Sequence, residues 1–435
     1  MNLLPMLKHN YVNQLYYLAK LKKQQWLTEE KLIKIQEKKL IALINHAYHN
    51  VPFYHDLFES VGVKPKDVNS LANLQKVPIL TKDIIRKNYP DKIVATGVDI
   101  RNCFIKSTTG STGMPLKVAY SKEMLDYVRC VNLFVFLEFG LRLTDKLVRI
   151  CHIGNENIPF PSLLAKMGIL NWKYLSIFDP VESILKSLKN LKPDVIFTYP
   201  SVLLLISKEI EEQNINDITP RLVFTSGETL SYSDRKKIST IFNSDVYSMY
   251  GTEENGLLAF ECEKRAGYHV ISDTAIIEVV KNEINVEKGK HGVLVVTSLF
   301  NYSMPLIRYK LGDIGTLTNK KCACGRGLPL IKSIEGRTDD FLTLPSGKKV
   351  SPRVINVIED IPGVAMYKTV QETKNRIVVN LIQGNGYSQK TIYEIKKHIQ
   401  SGCLGEAVEV EVNLVDELPR EGTGKLRAVV SNVRE

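Results

Sequence analysis

The chain has 435 residues and carries 58 Lys and Arg against 47 Asp and Glu, a formal net charge of +11. That length predicts two or three domains with a large core, and no stretch approaches the ~20 apolar residues of a membrane span. Seven cysteines, an odd number in a long chain, exclude a disulfide framework. The first ten residues lack a charged start followed by an apolar run, so no signal peptide is expected and the expected compartment is the cytoplasm.

Residues 1–90 read as a helical leading region. The first fifty hold eight Lys and three Glu, but Leu27, Ile33, Leu40, Ile41 and Ile44 recur among them at helical spacing. This predicts solvated lysine faces on amphipathic helices, and no nucleic-acid partner. Thr81 is an expected helix cap after the turn at Val77-Pro78. From about 100 to 300, apolar strands such as Lys146–Cys151, Asp194–Thr198, Leu222–Thr225 and Asp245–Met249 alternate with helical segments. The alternation predicts an α/β layer with a largely parallel sheet. After Gly336-Arg-Thr-Asp-Asp340 the pattern changes to a compact α+β module. The expected division is a large domain, 1–338, and a small mobile one, 339–435.

Five segments in this order carry polar chemistry on turns. Ser107-Thr-Thr-Gly-Ser-Thr-Gly-Met-Pro115 packs two glycines and five hydroxyl residues into nine positions, a composition that can wrap backbone N–H groups and hydroxyls around phosphate oxygens. Phe224-Thr-Ser-Gly-Glu-Thr229 follows a strand, and Gly227 lets backbone approach a flat ring. Tyr250-Gly-Thr-Glu-Glu254 ends another strand; a carboxylate there can hold Mg²⁺ against triphosphate oxygens, and the ring can stack on a base. Tyr309-Lys-Leu-Gly-Asp313 offers an acceptor for ribose hydroxyls. Leu418-Pro-Arg-Glu-Gly-Thr-Gly-Lys-Leu-Arg427 presents Lys425 on a loop as a mobile positive charge.

Together these runs resemble the adenylate-forming superfamily. His46-Ala-Tyr-His-Asn-Val-Pro-Phe-Tyr54 and Val77-Pro-Ile-Leu-Thr-Lys-Asp83 are similar to the phenylacetate–CoA ligase-like branch, which includes capsular-polysaccharide biosynthesis members. The resemblance implies a carboxylic acid substrate, activation by ATP to acyl-AMP with loss of pyrophosphate, and transfer of the acyl group to a thiol, coenzyme A foremost. The alternative it implies is an acceptor other than coenzyme A: a sugar amine, a carrier protein or a cofactor. By resemblance Ser107, Thr108, Thr109, Gly110, Ser111, Thr112 and Gly113 cradle phosphate. Ser226, Gly227, Glu228, Tyr250, Gly251, Thr252 and Glu253 flank the nucleotide. Glu254 binds Mg²⁺, with Glu253 the competing alignment. Asp313 takes the ribose, Arg337 the ribose or phosphate side, and Lys425 the reacting oxygens. Lys425, Glu254 and Thr109 are the catalytic candidates, and Asp339 is the expected pivot of the moving module. A homodimer is left open. Two departures stand out: Lys117 lies one position later than the usual loop lysine, and Lys310 stands where Arg is usual.

Cys262, His269, Cys322 and Cys324 form a further candidate. The Cys322-Ala-Cys324 knuckle with a remote Cys and His can complete a tetrahedral Zn²⁺ shell, and buried free cysteines are the competing reading.

Overall fold

The computed structural model describes residues 11–108, 116–152, 168–350, 357–403, 405–422 and 424–433. The chain divides into two compact units, Met1–Gly140 with Met249–Ser333, and Leu141–Ser248 with Ile334–Glu435. The fold is mixed α/β, as the alternation of apolar strands and helical segments predicts.

In the first unit the helices Tyr11–Gln24, Glu29–Asn50 and Pro52–Ser60 form the leading region. Leu32, Leu40, Leu43, Ile44 and Ala47 are buried along one stripe of the second helix, which leaves Lys31, Lys34 and Lys38 outside. Thr81 caps the helix Lys82–Asn88 by accepting from the Ile84 N–H. The strands Phe104–Thr108 and Leu116–Tyr120 pair antiparallel, with Phe104 opposite Tyr120; the segment between them, 109–115, lies outside the described residues. Downstream, Ala275–Lys281, His291–Ser298 and Tyr309–Thr318 pair in sequence, and all these pairs are antiparallel. Parallel pairing does not extend here because the connections are too short for crossovers.

One buried polar cluster braces this unit. Asp273, on the turn before Ala275, receives Lys20 at 3.0 Å, Lys39 at 2.8 Å and the Tyr127 hydroxyl at 2.7 Å. The Tyr127 ring stacks on Phe300, centroids 3.6 Å apart. Burial pushes the Lys39 ammonium down to about 8, opposed by the Asp273 charge. Burial alone would raise the Asp273 carboxyl, but Lys39 and Lys20 hold it below the usual range.

In the second unit four strands run parallel, in the order Asn171–Ser176, Lys146–Cys151, Val195–Thr198, Leu222–Ser226. The helices Val181–Leu191, Pro200–Glu212 and Tyr232–Phe242 cover them through Ile184, Leu188, Leu203, Ile206 and Ile238. This is the crossover geometry that places strand-end turns on one edge. The C-terminal segment adds its own sheet, ordered Glu409–Leu414, Arg376–Gln383, Val364–Thr373, Val429–Ser431, under the helix Gln389–Gly402. Its core is built from Ile377, Val379, Leu381, Ile395 and Ile399.

Replacing Asp273 by Asn leaves two half-buried lysines without their carboxylate and is expected to cost ~1–3 kcal/mol. Urea unfolding followed by the first unit's fluorescence should show a markedly lower midpoint; an unchanged midpoint would show that the cluster contributes nothing.

Candidate active site

The two units each carry part of the polar chemistry read from the sequence. In the first, the strand Asp245–Thr252 ends in the Tyr250-Gly251-Thr252 turn. The Tyr250 hydroxyl donates to Asp313 Oδ2 at 2.6 Å, so the expected base-facing ring and the expected ribose acceptor are joined by a charge-assisted bond. Thr252 Oγ1 accepts from the Asn255 backbone N–H at 3.2 Å and from its side chain at 3.1 Å, which closes the turn.

The two adjacent glutamates have different surroundings. Glu254 is buried, and its Oε1 accepts from the Tyr309 hydroxyl at 2.7 Å. Glu253 lies nearer solvent, with Lys106 Nζ 3.6 Å from its Oε2; its backbone carbonyl accepts from Tyr120 at 3.0 Å. A buried carboxylate fixed through one oxygen suits a hard cation better than an exposed one already facing an ammonium. Tyr309 is the residue that sequence reasoning missed. It sits inside a segment chosen for Asp313, and nothing local marks its hydroxyl as the partner of Glu254, 55 positions away. Ser107 is exposed at the end of its strand, beside Thr108. Thr109, Gly110, Ser111, Thr112 and Gly113 lie outside the described residues.

In the second unit the loop holding Lys425 packs on the turn Ser226-Gly227-Glu228. Gly227 has φ +86°, and a Cβ there would lie 2.9 Å from Lys425 Cε and 3.0 Å from the Tyr199 ring. The absence of a side chain makes the groove in which Lys425 lies, with Nζ 5.9 Å from the Tyr199 ring centroid. Gly424, at φ +82°, packs so closely on Ile177 that a Cβ would approach it to 2.5 Å.

Glu228 faces the loop. Its Oε2 accepts from the Ser201 N–H at 2.9 Å; its Oε1 accepts from the Ser201 hydroxyl at 3.0 Å and the Leu426 N–H at 2.6 Å. Burial pushes the Glu228 carboxyl up, against the lowering pull of those donors and of Arg420. Arg420 Nη1 donates to Ser201 Oγ at 2.9 Å and to Gly424 O at 2.8 Å. Ser201 and Arg420 are additional members of the constellation. Arg420 stands in the loop read for Lys425, while Ser201, at the start of the helix Pro200–Glu212, lies outside the five segments. Near the module boundary, Arg427 Nε donates to Asp340 Oδ1 at 2.9 Å, and the Arg337 N–H donates to Asp340 Oδ2 at 3.2 Å.

The cysteine candidates come together. Cys262, His269, Cys322 and Cys324 place their ligand atoms within 4.8 Å of one another, three of the four residues being buried. Cys262 Sγ lies 3.5 Å from Cys322 Sγ, and Cys324 Sγ lies 3.4 Å from His269 Nε2. Burial lowers the His269 pKa to about 4 and keeps its ring neutral, the form that ligates metal. The neighbouring Arg326 reaches Gln25 Oε1 at 2.7 Å and Glu138 at 3.1 Å, and lies over the Trp26 ring at 4.9 Å.

With this geometry in hand, residues 342–432 match the CapK C-terminal domain family. Across most of its length the chain is similar to the phenylacetate-coenzyme A ligase of Thermus thermophilus, 28% identical over 357 residues, covering 78% of this chain and 77% of the relative. It is also similar to protein CapK of Staphylococcus aureus, 24% identical over 420 residues, covering 93% and 90%. Among solved structures, 2-hydroxyisobutyryl-CoA ligase in the postadenylation state superposes with a TM-score of 0.80 at 20% identity, covering 94% of this chain and 92% of that one. Along most of its length the chain is similar to phenylacetate-coenzyme A ligases and to protein CapK, and it shares its fold with a solved acyl-CoA ligase. No helix among the described residues is long and apolar enough to cross a membrane.

Gly227→Ala places a methyl group against Lys425 and Tyr199 at a positive φ. The substitution is expected to cost roughly 1–3 kcal/mol and to displace the lysine loop. Thermal unfolding together with hydrogen exchange at 418–427 checks this; unchanged exchange there would contradict the packing.

Proposed function

We propose that the protein activates a carboxylic acid with ATP and passes the acyl group to a thiol, coenzyme A foremost. The observation that carries the reading is the seating of Lys425 on the Ser226-Gly227-Glu228 turn at the end of a parallel strand, where open α/β sheets bind ligands. In the first half-reaction a carboxylate oxygen bonds to the α-phosphorus of ATP, the α–β bridging P–O bond breaks, and pyrophosphate departs. In the second, the thiolate sulfur bonds to the acyl carbon and the acyl C–O bond to AMP breaks.

The side chains divide this work. Lys425 brings positive charge to the carboxylate and α-phosphate oxygens, where negative charge concentrates during attack. Tyr250 and Asp313, already bonded to each other, receive the base and the ribose, which fixes the phosphorus in line. Thr109 and its neighbours in 107–113, with Arg337, serve the phosphates. Glu254, held by Tyr309, is the residue to hold Mg²⁺, whose charge would offset that of the triphosphate. The mobile body we propose is 339–435, turning near Asp339. A cytoplasmic location supplies both nucleotide and thiol.

The match of 342–432 to the CapK C-terminal domain favours a second reading for the acceptor alone: an amine or a carrier thiol in polysaccharide or secondary metabolism. Product masses with and without coenzyme A separate the two.

The four-residue Cys/His cluster fits Zn²⁺ in donor type and spacing, with no open position for substrate. We assign it a structural role, since the knuckle carries Arg326 against Gln25, Trp26 and Glu138.

Two outcomes follow. ATP–pyrophosphate exchange with a panel of carboxylic acids should identify an active acid, and Lys425→Ala should lower exchange roughly 100-fold or more while sparing transfer from preformed acyl-AMP. Equal loss in both half-reactions would remove Lys425 from its assigned role. Metal analysis of reduced, folded protein should find one equivalent of zinc, lost in Cys322→Ser together with several degrees of thermal stability. Metal-free protein of full stability would remove the zinc assignment.

A further inference from the structure

Lys425 does not hold its own position. Its ammonium lies over an aromatic ring at 5.9 Å, and the backbone around it is anchored by neighbours on both sides. On one side the Leu426 N–H donates to Glu228 Oε1. On the other, Arg420 spans the loop: the same Nη1 that donates to Gly424 O also donates to Ser201 Oγ. Ser201 in turn donates its hydroxyl to the oxygen of Glu228 that receives Leu426. The four residues close a ring, Arg420–Ser201–Glu228–Leu426, with Lys425 inside it.

We propose that Arg420, acting through Ser201 and Glu228, is the positioning residue that sets Lys425 for the adenylation half-reaction and is not needed for acyl transfer. The proposal rests on the ligase reading above. The distribution of the bonds supports a separable device. When the loop leaves, Glu228 keeps both donors of Ser201, so its half-buried carboxylate keeps hydrogen-bond partners in the protein. Arg420 keeps Gly424 O within its own loop. Among the described residues, the hydrogen bonds from Arg420 to Ser201 and from Leu426 to Glu228 tie the loop to the helix start and the turn, and both involve a charged group, which makes them strong for their number. Apolar contacts accompany them, Gly424 on Ile177 and Leu418 and Leu426 in one cluster with Leu204 and Leu205. These carry no direction; it is the charged groups, each left with a partner after opening, that set the loop's register.

The test uses Arg420→Met, Arg420→Lys and Ser201→Ala in the full-length protein, with an acid found active in exchange. Arg420→Met should lower kcat/KM of ATP–pyrophosphate exchange on the order of 10–100-fold and leave transfer from synthetic acyl-AMP to coenzyme A within about twofold. Arg420→Lys should recover part of the loss, because the charge returns without the planar fork. Ser201→Ala, which keeps the N–H to Glu228, should lose less than Arg420→Met in the same half-reaction. In a Lys425→Ala background, Arg420→Met should add nothing to the loss. Equal loss in both half-reactions, no loss in either, or a full additional loss without Lys425 would each overturn the assignment. A readout independent of catalysis is cleavage by a lysine-specific protease at the Lys425–Leu426 bond, expected to quicken about tenfold in Arg420→Met while other sites are unchanged. If wild-type protein exchanges pyrophosphate with no acid, the ligase reading fails. The cleavage rate then decides the latch alone: a quickened cut supports it and an unchanged one removes it.

Discussion

The half-buried carboxylate of Glu228 is the constraint around which the second unit's polar chemistry is arranged. An ionised carboxylate out of water must be paired or fully hydrogen-bonded. Glu228 meets that demand with donors from two distant stretches of chain, Ser201 at the start of a helix and Leu426 on the lysine loop. Removing its charge would remove the reason for the loop to lie on the Gly227 turn. The steric complement is equally specific: the Gly227 surface is open only because no Cβ stands there, and Gly424 meets Ile177 for the same reason. Charge selects which loop docks, and the two glycines set how closely it does so.

The first unit fixes two carboxylates in place before any ligand arrives. Tyr250 and Asp313 are already joined, and Tyr309 already holds Glu254. Both bonds tie a carboxylate to a phenol from a distant stretch of chain, which fixes the direction of each acidic group. Preorganisation of this sort reduces the reorganisation left for the moment of reaction.

Much of this was legible in the amino-acid order, and the rest was not, for definable physical reasons. Helices in the leading region, the cap at Thr81 and the parallel strands declare themselves through local periodicity and turn chemistry. The segments 224–229, 250–254, 309–313 and 418–427 were recognisable because each combines glycine and polar residues within a few positions, although 309–313 opens the strand Tyr309–Thr318 and is not a turn. Their partners were not recognisable in that way. Arg420 and Ser201 are 219 positions apart, and Glu228 and Leu426 are 198 apart; no local pattern encodes a bond of that kind. The expectation of a largely parallel sheet holds for the strands between 146 and 226 but not for those between 275 and 318, where short connections enforce antiparallel pairing. The cysteine cluster was legible only as composition. Its 3.4–3.5 Å separations come from the meeting of a strand end, a short strand and a knuckle.

The two units therefore commit their buried polar groups to opposite ends. Asp273 is held by two lysines and a tyrosine whose ring is itself stacked. Three thiols and an imidazole converge beside an arginine clamped by a tryptophan and two hydrogen-bond acceptors. Losing one member of either group leaves the others uncompensated, so these clusters resist opening. The Glu228 ring breaks into halves that each remain hydrogen-bonded, so it opens at small cost. A reaction with two half-steps needs both kinds of contact: a frame that does not yield while the nucleotide is aligned, and a charged loop that can be set down and lifted away.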